Sequence, residues 1–166
     1  MHQQVADIQE FTNMLRQYEP LVYKICNLYA VNIEDRKDLF QEIVLQAWGA
    51  YPRFRQESAV STWLYRVALN TAITHKRKQK KYATVLDLDL DLHDEYAPLY
   101  SEEHKILHQL IGNLPALDKA LVLLYMEDRS HQEIADIMGI STSNVGTKLG
   151  RMKDKLKKLA QPFLTK

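Results

Sequence analysis

An all-α protein of two small helical domains, joined by a flexible acidic linker, is what this sequence predicts. Three observations carry that expectation. Apolar residues recur at three-and-four spacing over most of the chain. Five glycines in 166 residues argue against a β-rich architecture. Charge falls into blocks: residues 1–52 carry a net −3, 53–81 carry +7, 82–103 carry −7, 104–142 carry −2 and 143–166 carry +6. The overall charge of +1 hides this segregation. Two basic blocks, each closing a helical unit, fit two nucleic-acid contacts.

The elements follow in order. A first helical region is predicted from Asp7 to Ala30, with Pro20 breaking or restarting it. A second helix runs from Glu34 to Tyr51 and stops at Pro52. Its residues Phe40, Ile43, Val44, Ala47 and Tyr51 share a face and are expected in the core. Asp38, Gln41, Glu42 and Leu45 share the other face, a polar and acidic stripe with one exposed leucine, suited to docking a protein. Arg53 to Val60 is a polar loop holding Arg53, Phe54, Arg55, Gln56 and Ser58.

A third helix, capped by Ser61, continues to about Lys80 and buries Leu64, Val67, Ala68 and Ala72. Trp63 is expected in the core as the large ring between packed helices. Arg66, Asn70 and Arg77 lie within about 40° of one another on a 3.6-residue helix. Thr74 and Lys81 flank them, and the helix runs into the basic stretch His75–Lys81. Basic groups interleaved with amide and aromatic ones suit a single strand, whose backbone they hold and whose exposed bases they stack or bond.

Residues 82–100 read as the linker. Within it, the run 85–92 alternates apolar residues with aspartate from Leu86 onward, a strand pattern with no second strand to pair with. An extended acidic tether is the expectation. A fourth helix starts near Ser101 and ends at Gly112-Asn113; Pro115 suits the first turn of a fifth, which runs to about Glu127.

The most informative segment is 130–157. Ser130 with Glu133 is a capping box, Gly139 is a helix-ending residue, and Ser141 can cap the helix that follows. Two short helices around a tight turn make a helix-turn-helix. Small Ala135, then Gly139, then Val145 supply the spacing of its internal contacts. Val145, Leu149, Met152, Leu156 and Leu159 form one apolar stripe, and Asn144, Lys148, Arg151 and Lys155 form another, polar one. An amide and three cations on an exposed face suit the major groove and its phosphates.

Other functions are set aside by what the chain lacks. Cys26 is the single cysteine, so neither an internal disulfide nor a multi-cysteine zinc site is open to it; a buried thiol is expected. No apolar stretch reaches membrane-spanning length, and Met-His-Gln-Gln is not a signal-peptide start, so the cytoplasm is the expected compartment. His104 and His108 stand four apart on a helix without a third ligand, and no nucleophile–base pair stands out. No metal, no cofactor and no catalysis are expected.

Asp38-Leu39-Phe40-Gln41-Glu42 through Trp48, then Phe54-Arg55 to Ser61-Thr62-Trp63-Leu64-Tyr65-Arg66-Val67-Ala68-Leu69-Asn70, resembles the second conserved region of bacterial RNA polymerase sigma factors. Leu114-Pro115 through Lys158 resembles their fourth. Both, in this order and in a short chain, resemble most the extracytoplasmic-function group. The resemblance implies domains at 1–81 and 101–166. It implies docking of core RNA polymerase by Asp38, Gln41, Glu42 and Leu45. It implies recognition and melting of the minus-ten element of promoter DNA by Arg53, Arg55, Gln56, Ser58, Arg66, Asn70 and Arg77. It implies reading of the minus-thirty-five element by Ser143, Asn144, Thr147, Lys148, Arg151 and Lys155. An anti-sigma factor is an implied partner, and the linker would pass through the RNA exit path of the polymerase, its acidity imitating RNA. Gly146 and Gly150 depart from the family, which more often has polar residues there. A stand-alone helix-turn-helix regulator would use 114–158 and leave the Asp38–Asn70 pattern idle; a DNA-processing enzyme would need a metal or nucleophile site.

Overall fold

The computed structural model describes residues 1–83 and 101–165. Among them every regular element is helical. The N-terminal unit holds α1 (His2–Tyr29), α2 (Ile33–Ala50), a 3-10 turn (Tyr51–Arg53) and α3 (Val60–Ala83). The C-terminal unit holds α4 (Glu102–Gly112), α5 (Ala116–Met126), α6 (His131–Met138) and α7 (Thr142–Leu164). The linker from residue 84 onward, its alternating run at 85–92 included, lies outside the described residues.

In the N-terminal unit α1 is one helix, not two. Pro20 sits inside it, exposed, as is Arg16 four residues before it. The carbonyl that loses its N–H partner is thus on the water side, where solvent replaces the bond. Buried Phe11 before the proline, and Leu21, Val22, Ile25, Cys26 and Tyr29 after it, hold the two halves to one core. Burial pushes the Cys26 thiol up to about 12, against the opposing pull of the Arg36 charge.

On α2 the core face differs from the expected one. Asp35, Leu39, Ile43 and Ala47 are buried; Phe40, Val44 and Tyr51 are only half-buried. The reason is that the rings sit at the rim. Phe40 stacks on Tyr23 of α1 at 4.8 Å, and Tyr51 meets Phe11 edge-on at 5.3 Å. Asn32 caps the helix, accepting from the Asp35 N–H at 2.8 Å.

On α3 the expected Leu64, Ala68 and Ala72 are fully buried, Trp63 is buried, and Val67 is half-buried. Ser61 does not cap this helix. The first turn already includes Val60, and the Trp63 N–H bonds the Ala59 carbonyl at 3.1 Å. The helix also continues past Lys80 to Ala83.

The C-terminal unit follows its local signals closely. Ser101 caps α4, accepting from the His104 N–H at 3.3 Å. Pro115 precedes α5. Ser130 and Glu133 close both bonds of the capping box, at 3.1 and 2.8 Å. Gly139 takes the left-handed φ of 68° that ends α6, and Ser141 caps α7 through the Asn144 N–H at 3.1 Å. Ile134, Ala135, Ile137, Val145, Leu149 and Met152 bury the helix-turn-helix contact. The apolar stripe of α7 runs from Val145 to Leu159 by spacing. Burial stops at Met152; Leu156 is half-buried and Leu159 exposed, because the helix runs on past the end of its unit's core.

Candidate nucleic-acid and polymerase interfaces

The first basic surface is built on a loop and a helix. The 3-10 turn closes with the Phe54 N–H on the Tyr51 carbonyl at 3.0 Å. Phe54 then stacks on Trp63 at 4.7 Å, which pins the loop base to α3. Beyond that anchor Arg53, Arg55 and Gln56 are exposed, and Ser58 is half-buried. Gln56 has a φ of 56°, left-handed backbone that a non-glycine residue adopts at a cost of about 1 kcal/mol or more. On α3 Arg66, Asn70 and Arg77 are all exposed. Thr74 donates its hydroxyl to the Asn70 backbone carbonyl at 2.8 Å. The unit thus presents guanidinium groups and an amide at its surface.

The α2 stripe is only partly as expected. Asp38 and Gln41 are exposed, and Leu45 is 69% exposed. Glu42 is turned inward: it is half-buried and lies 3.1 Å from His75 Nδ1 on α3. The other ring nitrogen of His75 meets Asp35 at 2.6 Å. No sequence signal marked this network. His75 opens a basic run and reads as one more solvated group, and its partners are 33 and 40 positions away.

In the second surface Ser143, Asn144, Thr147, Lys148, Arg151 and Lys155 are all exposed along α7. They are not equivalent. Lys155 lies 3.8 Å from Asp118 of α5, and Thr147 donates to the Ser143 carbonyl at 3.2 Å. Lys153, which the polar stripe left out, is exposed with its ammonium over the Tyr125 ring at 4.5 Å. A methyl group at Gly146 would lie 3.9 Å from the His131 ring, an ordinary contact, and one at Gly150 would meet nothing within 4 Å. His104 and His108 are exposed on α4, and His104 Nδ1 lies 3.0 Å from Ser101 Oγ. Among the described residues no group of three ligand-type side chains is arranged to hold a metal ion, and no helix is long and apolar enough to cross a membrane.

Two family profiles cover these two units separately: sigma-70 region 2 matches residues 14–82, and sigma-70 region 4 matches residues 104–156. An extracytoplasmic-function RNA polymerase sigma-E factor of Haemophilus influenzae is 30% identical, over 97% of this chain and 93% of that protein. The chain belongs to the extracytoplasmic-function group of sigma-70 factors. Other relatives are the RNA polymerase sigma-H factor of Pseudomonas aeruginosa, 29% identical over 97% of this chain and 91% of its own length, and SigV of Bacillus subtilis, 31% identical over 78% of each. The fold agrees with two solved structures. RpoE of Bartonella quintana, in complex with the anti-sigma factor NepR, matches with a TM-score of 0.76, 18% identity, and coverage of 92% of this chain and 98% of that one. CnrH, in complex with the cytosolic domain of CnrY, matches at 0.68 with 21% identity, covering 93% and 89%. This sigma factor is therefore a dissociable specificity subunit of RNA polymerase, directing core enzyme to promoters. The stand-alone regulator is not favoured, because the region 2 match accounts for the N-terminal unit.

Proposed function

We propose that the work of this sigma factor is divided by surface. Asp38, Gln41 and Leu45 of α2, with Glu42 at their edge, dock the unit on core RNA polymerase. Arg53, Arg55, Gln56, Ser58, Arg66, Asn70 and Arg77 recognise and hold the opened minus-ten element. Ser143, Asn144, Thr147, Lys148, Arg151 and Lys155 read the minus-thirty-five element as duplex. The division corresponds to domains at 1–81 and 101–166, with 82–100 as linker.

One observation carries the reading. In a single unit, an exposed leucine with acidic and amide neighbours lies on α2, and an exposed amide with guanidinium groups lies on α3. The first set suits a protein and the second a nucleic acid. Opening follows from the second. A base enters a pocket only after leaving the stack, at a cost of a few kcal/mol that capture must offset. Asn70, Gln56 and Ser58 supply bonds to a base edge, and Arg66 and Arg77 hold flanking phosphates. The chain itself catalyses nothing in this scheme and uses no cofactor. It acts in the cytoplasm, where the polymerase and DNA are. An anti-sigma factor is proposed as a further partner, in line with the complexes in which RpoE and CnrH were solved.

Two variants test the division. Leu45→Lys should abolish core binding while the helical content stays unchanged. The double variant Asn70→Ala, Arg66→Ala should bind core but fail to open a duplex promoter, read as permanganate reactivity of unpaired thymines. Normal core affinity in the first, or wild-type opening in the second, would remove the corresponding assignment.

A further inference from the structure

His75 is the one histidine of the chain held between two carboxylates among the described residues. Its side chain is 14% exposed and that of Asp35 9%. Asp35 is itself fixed: its other oxygen accepts the Val31 N–H at 2.8 Å, and its own N–H is held by the Asn32 cap. Glu42 stands on α2 beside the exposed Asp38, Gln41 and Leu45. On α3, His75 is half-buried, as is Lys76 after it. Ile73 is buried, whereas Arg77 and Lys78 are exposed. Asn70 precedes His75 by five residues and Arg77 follows it by two. Each ring nitrogen of His75 thus lies within hydrogen-bond distance of a different carboxylate of α2, at 2.6 Å for Asp35 and 3.1 Å for Glu42. Hydrogen bonds to an ionised carboxylate are stronger than neutral ones and, half-buried, are little screened by salt.

We infer that His75 is a positioning residue for promoter opening, tying the Asn70–Arg77 face of α3, through Asp35 and Glu42, to the helix that carries the docking stripe. The inference rests on the proposed division of surfaces. Ile73 is the last α3 residue described as buried. Beyond it, the His75 bonds decide where Arg77 stands relative to a unit already docked through α2. Holding a strand at Asn70 and at Arg77 together needs that spacing and orientation fixed. Placement errors on the order of 1 Å at such a site are costly. Docking does not need it, because Leu45, Gln41 and Asp38 stand on α2 itself.

The test uses full-length protein with core polymerase, comparing affinity for core with minus-ten opening at saturating core. His75→Ala should bind core within about twofold of wild type and open about tenfold less, the size expected for losing bonds to charged groups. His75→Arg, whose fork offers several donors to both carboxylates, should restore most of the opening. Glu42→Gln should lower opening, and adding it to His75→Ala should lower it by no more than about twofold further, since residues of one network are not additive. Wild-type opening by a folded His75→Ala protein overturns the inference. So does a fall in core affinity that parallels the fall in opening, or an additive double variant. If His75→Ala is poorly folded, the His75→Gln and His75→Arg pair, compared in the same assay, carries the decision: equal opening by the two overturns it. Leu45→Lys and Asn70→Ala run alongside. Normal core binding by Leu45→Lys removes the docking assignment, and normal opening by Asn70→Ala removes the α3 face. A defective Asn70→Ala beside a normal His75→Ala removes the strut alone.

Discussion

In the C-terminal unit the bonds that fix helix ends close over three residues: Ser101 to His104, Ser130 with Glu133, Ser141 to Asn144. In the N-terminal unit the side-chain bonds that join helices span 33, 40 and 41 residues, from His75 to Glu42, from His75 to Asp35 and from Tyr51 to Glu10. Local caps predominate in the C-terminal unit, at α4, α6 and α7 against α2 alone in the described N-terminal helices, although Lys155 still reaches Asp118 across it. The N-terminal unit has its hydrogen-bonded side-chain links between partners that are remote in the chain. The contrast suits the tasks proposed for the two units. A helix that reads duplex DNA must be presented as a rigid rod, and caps do that. A unit that docks on one helix and holds a strand with another must keep two helices in register, and only long-range contacts do that.

Removing a long-range contact should therefore have the largest effect. Ile43 is fully buried between the helices of the N-terminal unit. Ile43→Ala should cost about 2–5 kcal/mol, a large share of the roughly 5–15 kcal/mol of an ordinary domain. Trp48 and Trp63 are the only tryptophans, and both lie in this unit, so fluorescence during urea unfolding reports on it directly. An unmoved midpoint would mean that the α2 face is less tightly packed than its burial indicates.

What the sequence made legible divides along the same line. Each cap and turn of the C-terminal unit was readable because signal and partner are neighbours: Ser130 needs only Glu133, and Gly139 needs only its own φ of 68°. The exposed groups at Arg66, Asn70, Lys148 and Arg151 were readable from helical periodicity, and the two matched regions bear out the family reading built on them. The misses are non-local. Periodicity placed Phe40 and Val44 in the core, while tertiary packing chose Leu39 and left the Phe40 ring against Tyr23. Glu42 shared a polar stripe with Asp38 by spacing, yet a histidine on another helix draws it inward. Pro20 is a local breaker that failed to break, since buried residues on both sides of it bind one core.

The second effect in size concerns α7. Lys148→Ala and Arg151→Ala should each weaken upstream duplex binding by about 1–3 kcal/mol where they meet base edges. A residue that meets only phosphate should weaken all sequences alike and reduce the salt dependence by about one counterion. Holoenzyme footprinting over a salt series separates the two. Full upstream protection in the double variant would refute a reading role for this helix and narrow the contrast between the units.

A smaller loss is expected at the caps. Ser130→Ala removes the Oγ that accepts the Glu133 N–H and breaks the reciprocal box, at a cost of about 1 kcal/mol. Circular dichroism through thermal unfolding measures it. A loss as large as that of Ile43→Ala would show that this unit, too, depends on contacts beyond its local caps.

The smallest effect bears on why the reading helix contains glycine at all. Each glycine costs a helix interior about 1 kcal/mol relative to alanine. At Gly150 nothing inside the unit calls for one, since an added methyl meets no atom within 4 Å. Gly150→Ala should therefore raise stability by about 0.5–1 kcal/mol. What an alanine there can still meet is the DNA. Gly150 is exposed two turns beyond Ser143, on the face proposed to read the minus-thirty-five element, so a methyl there would hinder close approach of the helix backbone to a groove wall in that proposal. The expected result is a more stable protein with weaker upstream affinity. Gly146→Ala is the matched control, because its methyl would face the His131 ring at 3.9 Å. It should stabilise without the same loss. Equal affinity in both variants, with both stabilised, would show that Gly150 is tolerated and not needed for approach, and that α7 reads DNA through its side chains alone.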